Sequence, residues 1–185
     1  MSGDAFDALI GPLLAREGGY VNDARDAGGE TRWGVTVAVA RASGYAGPMK
    51  AMTREQAGEV YRSRYWTGPR LDKIAAVSGA VAGKLFDLGV NMGPAVGVRF
   101  LQRALNVLNR GTRDFPDIAV DGTVGPALLG ALQTFLRLRG GEGETVLLKA
   151  LNCLQGARYV ELAEARPANE TFAFGWLANR IGRLS

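Results

Sequence analysis

Apolar residues recur every three to four positions along most of the chain, a spacing that predicts a mainly α-helical fold. Phe6, Leu9, Ile10, Leu13 and Leu14 mark a first helix, which Pro12 should kink and Gly18-Gly19 should end. From Tyr20 to Thr36 the helical period disappears among Asp, Gly and Asn, so this segment reads as a loop or small β-hairpin. Thr36 is placed to cap a short helix to about Ser43. Thr53-Arg54-Glu55-Gln56 is a capping-box pattern that opens a helix to about Trp66. A further helix is expected from about Ala75 to Asn91, with Gly93-Pro94 as a stop followed by a new start through Leu108. Asn109 to Asp121 is a polar connection. Thr123 and Pro126 open the next helix, Gly140-Gly141 breaks it, and a long helix follows from Glu142 to about Ala165. Asn169 is placed to cap a last one, which carries Trp176 and Arg180. A soft boundary separates 1–95 from 96–185, and the two parts are also compatible with one compact unit.

Composition removes several chemistries. With no histidine among 185 residues, Ser-His-Asp, Cys-His and His-zinc mechanisms are excluded. The single cysteine, Cys153, forms no intramolecular disulfide, and its apolar neighbours suggest a buried thiol. Acid–base work must rest on carboxylates, Tyr, Lys or Arg. The net charge of +4 suits an anionic polymer, but no basic arm marks a nucleic-acid binder. The first residues carry acid where a secretory signal carries base, so no signal peptide is expected. That points to synthesis in a cytosol, with a separate route of release for any action outside it.

Chemistry concentrates between Glu17 and Thr36. Glu17 ends an apolar helix and meets a Gly-rich ribbon carrying Asp23, Asp26, Glu30 and Thr31. Glycosidic cleavage needs that asymmetry. One carboxyl in an apolar setting donates a proton, and a second in a polar setting stays ionised to activate water or stabilise a cation. A hairpin can bring Asp26 to face Glu17 across a cleft. The same acidic residues are also ordinary turn formers. Calcium ligation by Asn22, Asp23, Asp26 and Glu30 lacks EF-hand spacing, so no metal is assigned. Tyr20, Trp33, Tyr65 and Trp66 are candidate platforms for the apolar faces of sugar rings, whereas Tyr61 and Trp176 fall on core periods. Asn91 either binds an N-acetyl group or caps its helix. Asp121-Gly122 is either a turn or part of a binding surface.

The run Glu17-Gly18-Gly19-Tyr20, then Asp26-Ala27-Gly28-Gly29-Glu30-Thr31, then Trp33-Gly34-Val35-Thr36, strongly resembles the signature of the glycoside hydrolase family 108 N-acetylmuramidases, also described as secretion-activator proteins. Tyr61 to Trp66 and Asp87 to Gly93 agree with it. Leu101 to Leu105, Asp121 to Pro126, Phe174-Gly175-Trp176 and Asn179-Arg180 resemble the family's companion peptidoglycan-binding region.

The resemblance implies a lysozyme-like helical fold with a small β-hairpin beside the active site. It also implies hydrolysis of the β-1,4 bond between N-acetylmuramic acid and N-acetylglucosamine in peptidoglycan, with Glu17 as the acid. Glu17, Asp26 and Thr31 resemble the Glu/Asp/Thr triad of phage-type lysozymes; Asp23 and Glu30 stay open as the second carboxylate. Tyr20, Asn22, Trp33, Tyr65, Trp66 and Asn91 are the expected sugar contacts. No cofactor is expected. The expected partner is the peptidoglycan glycan strand rather than nucleic acid, met by a monomeric endolysin that a holin or another non-Sec route releases to the periplasmic wall. A lytic transglycosylase and a non-catalytic wall-binding or virion structural module are the rival readings.

Overall fold

The computed structural model describes residues 3–17, 19–22 and 29–181, the side chains at 3, 4, 16 and 17 excepted. The chain divides into two compact units, Met1–Phe86 and Asp87–Ser185.

In the first unit, helix α1 spans Gly3–Glu17 and continues through Pro12. The Arg54 guanidinium donates to the Gly11 carbonyl at 3.0 Å and ties this helix to the next long one. Strands β1 (Tyr20–Val21), β2 (Thr31–Arg32) and β3 (Val35–Thr36) form an antiparallel sheet in that order. Helix α2 (Val37–Ala42) starts at Thr36, whose hydroxyl accepts from the Val39 N–H as its cap. Helix α3 (Arg54–Arg62) opens with the expected capping box: Thr53 and Gln56 exchange side-chain and backbone hydrogen bonds of 2.9 and 3.2 Å. It runs into a π-helical turn, Ser63–Thr67. Helix α4 (Leu71–Ala75) follows, and α5 (Gly79–Met92), whose residues from Asp87 on belong to the second unit, starts where the Ser78 hydroxyl accepts from the Val81 N–H at 3.0 Å. The helix expected from about Ala75 is thus α5, which starts four residues later behind a serine cap, and the short α4 before it was not expected.

The core of this unit centres on three rings. Phe6 packs against Trp66 and Phe86 with centroids 5.7 Å apart in each pair, and Trp66 meets Phe86 edge-on at 6.2 Å. Trp66 is 1% exposed. That corrects its expected role as a sugar platform, because the indole is buried in the core against Phe6 and Phe86.

In the second unit, Gly93 (φ +91°) and Pro94 start α6 (Pro94–Leu108). Helix α7 (Pro126–Ala165) holds a non-helical residue, Gly140 (φ 58°, ψ −152°), so it is two helices meeting at the expected break. Leu101, Leu105, Leu132, Leu147 and Leu151 fill the core. Cys153 is exposed, not buried: in its helix the phase that buries Leu151 and Gln155 turns residue 153 outward. Helix α8 spans Glu170–Arg180. Asn169 does not cap it through its side chain; its amide donates instead to the Leu162 carbonyl at 2.8 Å, near the end of α7.

The Asp121-Gly122 element is a polar staple on α6. The Gln102 amide, 2% exposed, donates to the Asp121 carboxylate at 2.7 Å and to the Thr123 carbonyl at 3.2 Å. Its oxygen accepts the Gly122 N–H at 2.9 Å. Every polar atom of that side chain is used in holding the turn.

Candidate active site

Helix α1 ends at Glu17, two residues before Gly19, whose carbonyl accepts the Trp33 N–H at 3.4 Å. Two residues of chain reach no more than about 7 Å. The backbone of Glu17 is therefore held at the open end of the β-ribbon by helix and sheet together.

The register sorts the ribbon into two faces. Tyr20 pairs with Arg32, and Arg32 with Val35; Val21 pairs with Thr31, and Thr31 with Thr36. Directly paired residues share a face. Val35 is 2% exposed and Val21 52%, so the Tyr20–Arg32–Val35 face turns inward and the Val21–Thr31–Thr36 face outward. Thr31 therefore presents its hydroxyl on the outer face, where it donates to the Gly29 carbonyl at 3.4 Å. Asn22 is exposed at the end of β1, and Glu30 is half-buried beside β2. Asp23 and Asp26 lie outside the described residues.

Trp33 and Gly34 form the two-residue turn between β2 and β3, both with positive φ (53° and 74°). That is the turn type whose twist matches a hairpin. The Trp33 indole N–H donates to the Met52 carbonyl at 3.0 Å, and the Tyr61 hydroxyl donates to the Trp33 carbonyl at 3.4 Å. Tyr65, half-buried in the π turn, packs on Tyr61 with ring centroids 5.6 Å apart. The structure thus joins Trp33, Tyr61 and Tyr65 behind the hairpin. Tyr61, at 4% exposure, keeps its expected core place and also holds the turn. Asn91 belongs to the second unit, where its amide donates to the Asp87 carbonyl (2.7 Å) and carboxylate (3.1 Å) inside α5. Its donor is used as a helix-end bond.

Arg32 was missed by sequence reasoning, which weighed carboxylates and aromatics. Its guanidinium lies 4.9 Å from the Trp33 ring centroid. The strand pairing that sets it opposite Tyr20 was the signal that could have found it. A separate cavity of about 840 Å³ lies between α1 and α3, lined by Phe6, Ile10, Leu14, Arg54, Glu59 and Arg62 among others. Among the described residues, none of the expected site residues lines it. Among the described residues no group of three Asp, Glu or Cys side chains converges as a metal site.

Residues 10–93 match the family described as Glycosyl hydrolase 108, and residues 96–181 match the "Predicted Peptidoglycan domain". No curated protein matches the chain significantly. Among solved structures, Brucella abortus SagA is similar at a TM-score of 0.70 and 24% identity, over 96% of this chain and 90% of that one. At that identity the likeness shows a shared fold. Residues 10–93 are thus a glycosyl hydrolase 108 domain and residues 96–181 a peptidoglycan domain, which together make the protein a peptidoglycan-hydrolysing glycosidase with its own peptidoglycan-binding domain.

Proposed function

We propose that the enzyme is an N-acetylmuramidase that cleaves the MurNAc–GlcNAc β-1,4 bond with Glu17 as general acid. The observation that carries this reading is the position of Glu17 at the last turn of α1, immediately ahead of the ribbon that holds Tyr20 and Thr31. Glu17 protonates the glycosidic oxygen as the bond breaks. Asp26 activates water or stabilises the oxocarbenium ion, with Asp23 and Glu30 as the other carboxylates within the segment. Thr31 holds the water. Tyr20, Asn22, Trp33 and Tyr65 contribute to the sugar site, Tyr20 from the inner face of the ribbon and Trp33 from its turn. The biological setting we favour is a monomeric endolysin, made in the bacterial cytoplasm and released to the wall through a holin-type pore. Wild-type enzyme co-expressed with a holin should lyse its host, and Glu17→Gln should not.

Mass spectrometry of the soluble products from purified sacculi tests the chemistry. Wild-type enzyme should release fragments ending in reducing muramic acid. Glu17→Gln should lower that release by about 10²–10⁴-fold, the usual contribution of a general acid. Anhydro ends would make the enzyme a transglycosylase. Undiminished release by Glu17→Gln would remove Glu17 from the mechanism.

A further inference from the structure

Four described arginines of the first unit are satisfied in different ways. Arg41 donates to the Tyr45 and Gly47 carbonyls, Arg54 to the Gly11 carbonyl, and Arg62 pairs with Asp7 and Glu59. Arg64 lies over the Tyr65 ring but is exposed, so water solvates it. Arg32 is different. Its Nε is sealed from solvent with no hydrogen-bond partner, while the side chain as a whole is half-buried. A buried cationic donor left without an acceptor is costly, and native proteins keep few of them.

The group is also held in place. Its guanidinium stacks 4.9 Å from the Trp33 ring centroid, and the Trp33 indole is fixed by its bond to the Met52 carbonyl. Arg32 sits directly across from Tyr20, which follows Glu17 by three residues. A planar guanidinium fixed by stacking is pre-organised to grip a carboxylate end-on with the N–H groups of its two terminal nitrogens, which are not sealed as Nε is. Peptidoglycan carries free carboxylates on its stem peptides, and on the lactyl group of muramic acid wherever the stem has been removed. A neutral β-1,4 polymer of N-acetylglucosamine carries none.

We propose that Arg32 is a carboxylate-binding residue of the substrate site and makes the enzyme select acidic glycan. The inference rests on the reading that the end of α1 and the ribbon form the catalytic site.

The test uses the full chain on native sacculi and on sacculi whose carboxylates have been amidated with methylamine. Amidase-stripped glycan strands, native and amidated, form a second pair. Wild-type enzyme should lose about tenfold or more of its rate when the carboxylates are neutralised, as expected for one charge-assisted bidentate contact. Arg32→Gln should be slower by a similar factor on native sacculi and indifferent to amidation. Arg32→Lys, which keeps the charge without the fork, should retain part of the preference. Loss of the preference on stripped strands assigns the contact to the stem peptide; a preference that remains there shows that Arg32 also takes the lactyl carboxylate the amidase frees. The native-to-amidated ratio does not depend on how much of a variant is folded. A wild-type ratio near one, or an Arg32→Gln ratio equal to that of wild type, overturns the proposal. Product release by Glu17→Gln at the wild-type rate would instead overturn the catalytic reading beneath it.

Discussion

Trp33 sits where a bulky residue is rarely found, in the left-handed region at φ 53°. Such a position costs about 1–3 kcal/mol and persists only where its surroundings enforce it. Here the Met52 and Tyr61 hydrogen bonds and the Arg32 stack supply the enforcement. Trp33→Phe keeps the ring and removes the indole donor. It should cost about 1 kcal/mol of stability in urea unfolding, the net worth of one such bond. Gly122 is constrained more tightly: at φ +81° an added Cβ would lie 2.9 Å from the Ala95 carbonyl oxygen. Gly122→Ala should therefore destabilise by about 2 kcal/mol or more, read as a shift of the denaturant midpoint at unchanged slope. Individual site residues were only partly legible from sequence. The end of α1 at Glu17 and the hairpin were readable because a helix end, paired glycines and alternating strand residues are local signals. Trp66 was not, because its inward turn depends on the π turn. It lies five positions after buried Tyr61, the spacing of a π rather than an α turn. Arg32 was hidden for a related reason, since its sealed Nε exists only once the strands pair.

Whole elements were more legible, because capping boxes, Gly-Pro pairs and apolar periods act within a few residues. Thr36, the Thr53–Gln56 box, Gly93-Pro94 and the Gly140 break all read correctly. The failures came from competition between local options. Ser78 offers its hydroxyl to the Val81 N–H and so restarts the helix, while Asn169 gives its amide to the end of α7. Gly140 adopts dihedrals open almost only to glycine, so Gly140→Ala must strain or straighten α7, at a cost of about 1–3 kcal/mol in equilibrium unfolding. The staple between α6 and the following turn makes a pH prediction. Hydrogen bonds from Gln102 and Thr123 hold the Asp121 carboxyl down at about 2, below its ordinary 3.8. A depressed carboxylate contributes stability above its unfolded value and loses it as pH falls towards the folded one. Stability should therefore decline between about pH 4 and pH 2. Arg110, which pairs with Asp114, lowers that carboxyl too, so Asp121→Asn should flatten the decline without abolishing it.

At the scale of the molecule, a hydrolase of an insoluble polymer has two separable tasks: staying on the wall and cutting it. The family matches assign these tasks to residues 96–181 and 10–93. Each compact unit also has its own core, Phe6, Trp66 and Phe86 in one and Leu101, Leu132 and Leu147 in the other. Replacing the Glu17 carboxyl by an amide changes neither core nor the volume of the side chain. The full-length Glu17→Gln protein should thus co-sediment with purified sacculi as strongly as the wild type does at the start of digestion. It should remain there for hours while the wild type frees itself by dissolving its own support. Gln102→Leu should show the opposite pattern. It strips the acceptor from the Gly122 N–H and a donor from the Asp121 carboxylate. Leaving the part-buried Gly122 N–H unpaired costs about 1–3 kcal/mol, while water takes over at the exposed Asp121 carboxylate, and the loss falls within the peptidoglycan-binding unit. Retention on sacculi should weaken, while turnover of short soluble glycan fragments, which need no anchoring, should stay near the wild-type rate. If instead Glu17→Gln lost retention at an unchanged melting temperature, binding and cutting would share one site, and the wall-holding role of the second half would have to be withdrawn.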